Sequence, residues 1–177
     1  DELFADRARH RVGLLQDGDP LTRSWWHALL AASVTSFTQT YARLHVDLAP
    51  EDIAGESSYQ PSLAAVISAV RDAGLLETSD GALCVFPDGF TDRDGSPLPL
   101  ILQKSDGGFG YDTTDLAALH HRVTTLAADR IVYVVGAPQA LHFRMLFAVG
   151  RALGWLDGAG AEHVEFGSVL GPDGKLL

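Results

Sequence analysis

The last third of the chain alternates strand and helix, and this rhythm constrains the fold more than any other feature. "LILQ" (100–103) leads to a helical stretch over 112–127, "RIVYVV" (130–135) to a second over 138–153, and "HVEFGSVL" (163–170) follows as a third strand. Strands separated by helices predict a parallel sheet with helices packed on it. The near-continuous apolar run in "RIVYVV" predicts a strand buried on both faces. Ligands of open α/β sheets bind beyond the carboxyl ends of the strands, where the N–H groups of the next helix are exposed. The chemistry is therefore expected at the two strand-to-helix crossings, near residues 110 and 137.

What precedes is helical. Residues 1–16 carry a mixed helical pattern ending at "DGDP", and Pro20 suits the first turn of a second helix. Leu21, Trp25, Leu29, Val34, Phe37 and Tyr41 recur in it at spacings of three to five, so Trp25, Trp26 and Phe37 are expected in a core. "GESSYQP" (55–61) reads as a loop. Pro61 starts a third helix, "SLAAVISAVRDAG", which stops at Gly74 as a glycine just past a helix end would. "ALCVF" and "LPLILQ" then read as a hairpin joined by "PDGFTDRDGSP". The acids at 88, 92 and 94 do not match a calcium loop in the placing of its glycine and closing glutamate, so turn chemistry is the expectation there.

At 177 residues the chain fits one domain, divided into a mainly helical part (1–80) and a strand-helix part (81–177). It begins at Asp1 rather than Met, which fits a piece cut from something longer. No apolar run reaches membrane-spanning length, and "DELFADRARHR" lacks the apolar stretch of a signal peptide. Cys84, the single cysteine, excludes an internal disulfide and a cysteine-rich zinc site, and is expected as a small buried residue. The default compartment is then the cytoplasm. The net charge is −10, with lysine only at 104 and 175, so no basic stripe marks a nucleic-acid grip. Acid-rich pockets suit cationic small molecules better.

At the first crossing, in "GGFGYDTTDLAALHH" (107–121), Tyr111 stands at the helix mouth and Asp115 four residues on. Asp115 is either a ligand group or an acid complementing the helix dipole, with Asp112 or Thr113 as cap. At the second, "VVGAPQALHF" (134–143), Gly136 leaves the strand, Pro138 opens the helix, and Gln139 and His142 share a face. If the strands are neighbours, Tyr111, Asp115, Gln139 and His142 converge on one crevice. His120 and His121 do not make a metal pair, because adjacent helical residues point apart. No serine-nucleophile elbow, phosphate loop or dinucleotide fingerprint occurs.

"LILQKSDGGFGYDTTDLAAL", "ADRIVYVVGAPQALHF" and "EHVEFGSVLGPDGK" together resemble the second half of the catalytic core of arginyl-tRNA synthetases, and the helices before "GESSYQP" and the "FPDGFTDRDGSPLPL" hairpin follow that family's order. The resemblance extends over essentially the whole chain. It implies an α/β fold: a helical segment followed by half of the Rossmann-like parallel sheet of class I synthetases. It implies an arginine–tRNA ligase that activates arginine with ATP, with magnesium, and transfers it to tRNA. Tyr111, Asp115 and Gln139 fall on the family's arginine-pocket positions, and His142 with Gly136 on the ATP (adenosine) side. The family's H-x-G-H signature is absent from these 177 residues and the sequence ends at "GPDGKLL", short of the lysine loop, so no catalytic residue is expected within it and the chain alone is expected to be inactive. The alternative is a free-standing, catalytically silent arginine-binding or interaction module derived from such an enzyme.

Overall fold

A computed structural model describes residues 2–175, which divide into two compact units at the boundary between Ala54 and Gly55. The first unit is a helical hairpin. Helix α1 (Glu2–Gln16) turns at Gly18, whose φ of 85° is open to glycine at little cost, into α2 (Pro20–Leu44). The "DGDP" stretch sets this turn as its residue types predict. The Asp19 side chain caps α2 by accepting from Thr22 N–H at 2.8 Å and Thr22 Oγ1 at 2.6 Å, while Pro20 fills the first helical position. Arg11 of α1 donates to Thr22 Oγ1 at 3.0 Å, tying the two helices across the hairpin. Trp25 and Phe37, expected in a core, are about half exposed (51% and 49%). A pair of helices has one mutual interface, and a stripe this wide exceeds it.

In the second unit a 3-10 helix (Glu56–Ser62) replaces the loop expected at "GESSYQP", anchored by the buried ring of Tyr59. Helix α3 (Leu63–Asp72) buries Leu63, Val66, Ile67 and Val70. It ends in a Schellman motif: Gly74 N–H donates to Arg71 O and Leu75 N–H to Val70 O, at 2.9 and 3.1 Å, with Gly74 at φ 72°. Although α3 lies within the mainly helical stretch 1–80, it packs with the strand-helix part and α4.

Strands β1 (Glu77–Ser79), β2 (Ala82–Val85) and β3 (Leu100–Gln103) form an antiparallel sheet in that order. The β2–β3 hairpin is as expected; β1 is an addition. Asp80 and Gly81, both left-handed at φ 49° and 78°, make the two-residue turn that joins β1 to β2. In the long β2–β3 connection Asp92 Oδ1 accepts from the N–H groups of Asp94 and Ser96, both at 2.9 Å, the turn chemistry expected of those acids. Cys84 is buried.

Helix α4 (Tyr111–Thr124), strand β4 (Arg130–Gly136), helix α5 (Ala140–Ala152) and strand β5 (Gly160–Phe166) complete the unit, with β4 and β5 paired in parallel, Arg130 opposite Gly160 and Gly136 opposite Phe166. The strand-helix rhythm thus gives the mixed fold with a parallel pair that the resemblance implies. Two details differ. "LILQ" belongs to the antiparallel sheet, because its hydrogen-bonding partner is β2 rather than β4. And β4 is buried on one face only: Ile131 and Tyr133 turn inward, while Val132 and Val134 remain exposed. Phe143 and Phe147 of α5 cover Tyr133, and no described element covers the valines' face.

The core joins Val70 of α3, Leu100 and Leu102 of β3, Leu116 and Leu119 of α4, and Leu146 and Val149 of α5. Helices α4 and α5 approach closely at Gly150, where an added Cβ would stand 2.7 Å from Leu119 Cδ2. This packing brings the starts of the two helices together. No helix among the described residues is long and apolar enough to cross a membrane.

Candidate functional site

Helix α4 begins at Tyr111, with Gly110 in extended conformation as its N-cap. Neither Asp112 nor Thr113 caps it; both reach back to β3. Asp112 Oδ2 accepts from Ile101 N–H at 3.1 Å, and the fully buried Thr113 hydroxyl donates to Leu102 O. Two adjacent side chains therefore fasten the first turn of α4 to the edge strand of the antiparallel sheet. Asp115 lies one residue beyond that turn, on the same face as Asp112 by its spacing of three.

Strand β4 ends at Gly136, a 3-10 turn (Ala137–Gln139) follows, and α5 starts at Ala140 with Gln139 at the N-cap. His142 is then in the first turn of α5, pointing at α4. Its Nε2 lies 2.8 Å from Asp115 Oδ2 and its Nδ1 3.1 Å from Asp112 Oδ1. The Tyr111 ring meets the imidazole edge-on, centroids 5.0 Å apart, and Phe143 packs at 5.1 Å on another side.

Burial disfavours charge on His142, but the hydrogen bonds to Asp112 and Asp115 and the charges of both carboxylates outweigh it, pushing the pKa up to about 9. At neutral pH the ring is an imidazolium, and both nitrogens donate. Two carboxylates around one imidazolium leave the cluster one negative charge in excess. The Asp112 carboxylate, burial and Asp115, in that order, raise the Tyr111 phenol, which stays neutral and can donate.

Beside this cluster a pocket of about 360 Å³ is lined by Pro99, Leu100, Tyr111, Asp112, Pro138, Gln139, Leu141, His142 and Met145. Its size falls at the lower end for small-molecule sites, and its lining mixes apolar side chains with the polar groups of Tyr111, Asp112, Gln139 and His142. Tyr111, Gln139 and His142 meet there, and Asp115 joins through its bond to His142. They converge although β3 and β4 belong to different sheets; the packing of α4 on α5 makes the meeting. Gly136 stands apart at the end of β4, where an added Cβ would touch only Pro138 and Phe166 at ordinary contact distance. Asp112 was missed as a site residue. Two acids three apart, opposite a histidine three residues past a glutamine, were the available signal.

The histidine pair diverges as its adjacency predicts: His120 packs on Trp155 and His121 on Tyr59. Among the described residues no group of three or more His, Cys, Asp or Glu side chains is arranged to hold a metal ion.

The family model for the catalytic domain of class I tRNA synthetases (R) matches residues 1–177. An arginine–tRNA ligase of Thermobifida fusca is 53% identical over 177 residues, all of this chain and 31% of the relative; that of Frankia casuarinae is 49% identical over 99% of the chain and 30% of its own length. The crystal structure of an arginyl-tRNA synthetase from Plasmodium falciparum superposes with a TM-score of 0.79 at 32% identity, over 96% of this chain and 29% of that one. The chain thus spans about a third of the length of the relatives it matches. A family match across every residue, joined to the fold of the second unit, shows that the chain belongs to the arginyl class I tRNA synthetase catalytic-domain family.

Proposed function

We propose that this chain carries the arginine-binding part of an arginine–tRNA ligase, an enzyme that activates arginine with ATP and transfers it to tRNA in the cytoplasm. The observation that supports this reading most is the Asp112–His142–Asp115 cluster, negative by one charge and set beside Tyr111 and Gln139. A guanidinium is always charged and presents a planar fork of donors, which a carboxylate matches in charge and geometry. Asp115, whose side chain keeps 31% of its surface exposed, takes that role. The Tyr111 hydroxyl and the Gln139 amide bond the polar groups of the same substrate. His142 and Gly136 are assigned to the adenosine side of an ATP site.

These residues bind and orient. Adenylate formation needs groups that handle the phosphates as pyrophosphate leaves, and positioning and charge stabilisation supply most of such catalysis. No H-x-G-H stretch occurs in these residues, so no catalytic residue is assigned here and the 177-residue chain alone is expected to be silent.

The test is arginine-dependent ATP–pyrophosphate exchange by the full-length protein that contains this chain. Exchange is expected, with an arginine KM that rises about tenfold or more in Asp115→Asn, the loss of a hydrogen bond between charged groups. Arginine binding without exchange would favour a silent binding module. No binding at all would overturn both readings.

A further inference from the structure

We propose that Asp112 is a positioning residue of this pocket: it ties β3 to α5 and fixes the one ring orientation in which His142 can hold the Asp115 carboxylate. The inference rests on the arginine-site reading above and deepens it.

Asp112 uses both oxygens. Oδ2 accepts from the Ile101 N–H of β3 at 3.1 Å, and Oδ1 meets His142 Nδ1 at 3.1 Å. Its side chain is only 14% exposed, against 31% for Asp115, and although Asp112 lines the pocket both its oxygens are engaged, which leaves Asp115 as the acid with surface to spare for a ligand. The division matters because the second torsion of a histidine is broad and roughly two-fold. Turning the ring over exchanges Nδ1 with a carbon and Nε2 with a carbon, and both hydrogen bonds are lost. With Asp112 on Nδ1, a single ring orientation remains, and that orientation delivers the Nε2 proton to Asp115 Oδ2 at 2.8 Å.

The charged groups facing the ring are Asp112 and Asp115, both from α4; the Tyr111 ring flanks it, and His163 of β5 is separated from it by Phe143. Among the described residues, Asp112 and Asp115 are the acids that act on the ring. The imidazolium in turn limits the carboxylate charge the pocket presents, while holding Asp115 where a guanidinium could pair with it. Asp112 lines the pocket, but with both oxygens engaged by Ile101 N–H and His142 it acts through His142.

Asp112→Asn tests this in the full-length protein. The amide keeps one acceptor and gains a donor, so it cannot serve both Ile101 N–H and the Nδ1 proton. The expected result is an arginine KM raised about ten- to a hundredfold. The His142 titration, followed by NMR of labelled histidine, should fall from about 9 towards its ordinary 6.5. Asp112→Glu, which keeps the charge, should recover part of the loss.

An unchanged arginine KM in Asp112→Asn, while Asp115→Asn raises it, overturns the proposal and leaves the arginine site standing. An unchanged KM in both variants removes the site reading, and the proposal with it. Should Asp112→Asn fail to fold, the unmodified protein still decides the question: a neutral His142 ring with a bare Nδ1 at neutral pH overturns the proposal, and protons on both nitrogens support it.

Discussion

His142 on α5 donates from Nε2 to Asp115 on α4 across 2.8 Å, so the two crossings that carry the candidate site are joined side chain to side chain. With Asp112 on the other nitrogen at 3.1 Å, the ring becomes a charged rivet between helices. Its position in the chain, 27 residues from Asp115, makes the contact a consequence of helix packing rather than of local sequence.

That rivet should leave a pH signature. An imidazole that titrates near 6.5 when unfolded and near 9 when folded binds its proton more tightly in the native state. The resulting stabilisation is fully present below pH 6.5, declines as pH rises towards 9, and is gone above it. A shift of this size corresponds to about 3 kcal/mol. Urea midpoints at about pH 6 and about pH 9.5, compared between the chain and His142→Gln, read the difference. The variant is expected to lose most of the slope between those values; an equal slope in both would remove the rivet's contribution.

Thr113 makes a second, neutral fastening. Its hydroxyl is fully buried and donates to Leu102 O at the edge of the antiparallel sheet. Thr113→Val keeps the shape and removes the donor, leaving a carbonyl in the core without that partner. The expected cost is about 1–3 kcal/mol, measured by thermal or urea unfolding. A change below about 0.5 kcal/mol would mean that Leu102 O finds another donor.

The same residues show how far a single sequence could be read. Asp19-Pro20, the glycine at 74, and the hairpin between "ALCVF" and "LPLILQ" are local signals, and the structure follows each of them. The short strand Glu77–Ser79 is legible in Asp80-Gly81, a dipeptide suited to a two-residue turn. The partner of "LILQ" was not legible. A four-residue apolar strand carries no mark that chooses a parallel over an antiparallel neighbour, and β2 won by proximity along the chain. Nor could the apolar run of β4 tell that one face stays uncovered, since Val132 and Val134 would read the same in either setting. Of the site, the individual residues at each crossing were visible; the Asp112 bonds to Ile101 and His142 were not, because they depend on where α4 lands.

The approach of α4 and α5 can be tested at Gly150. An added Cβ there would lie 2.7 Å from Leu119 Cδ2 and 3.3 Å from Leu156 Cδ1, and Leu119 has no exposed surface. Gly150→Val places two further methyl groups in this filled space. Overpacking of this kind costs about 1–3 kcal/mol. Because the site depends on the same helix pair, the His142 titration should also move in the variant. Unchanged stability together with an unchanged titration would show that the helices separate without strain.

The last prediction concerns which ligand the pocket accepts. With His142 protonated, Asp112 and Asp115 leave one unit of negative charge beside the apolar side chains of Pro99, Leu100, Leu141 and Met145. A cationic side chain gains from that charge, and citrulline, the neutral isostere of arginine, does not. Citrulline should therefore bind about tenfold or more weakly than arginine, the difference expected for one hydrogen bond to a charged group. Lysine keeps the charge but offers a point ammonium in place of a planar fork, so it should fall between the two. Calorimetric titration of the full-length protein with all three amino acids gives the order. Asp115→Asn should bring arginine down towards citrulline while changing citrulline little, since the removed charge serves only the cation. If arginine and citrulline bind alike in the unmodified protein, the carboxylate pair does not read the guanidinium, and Asp115 is only the outer partner of His142.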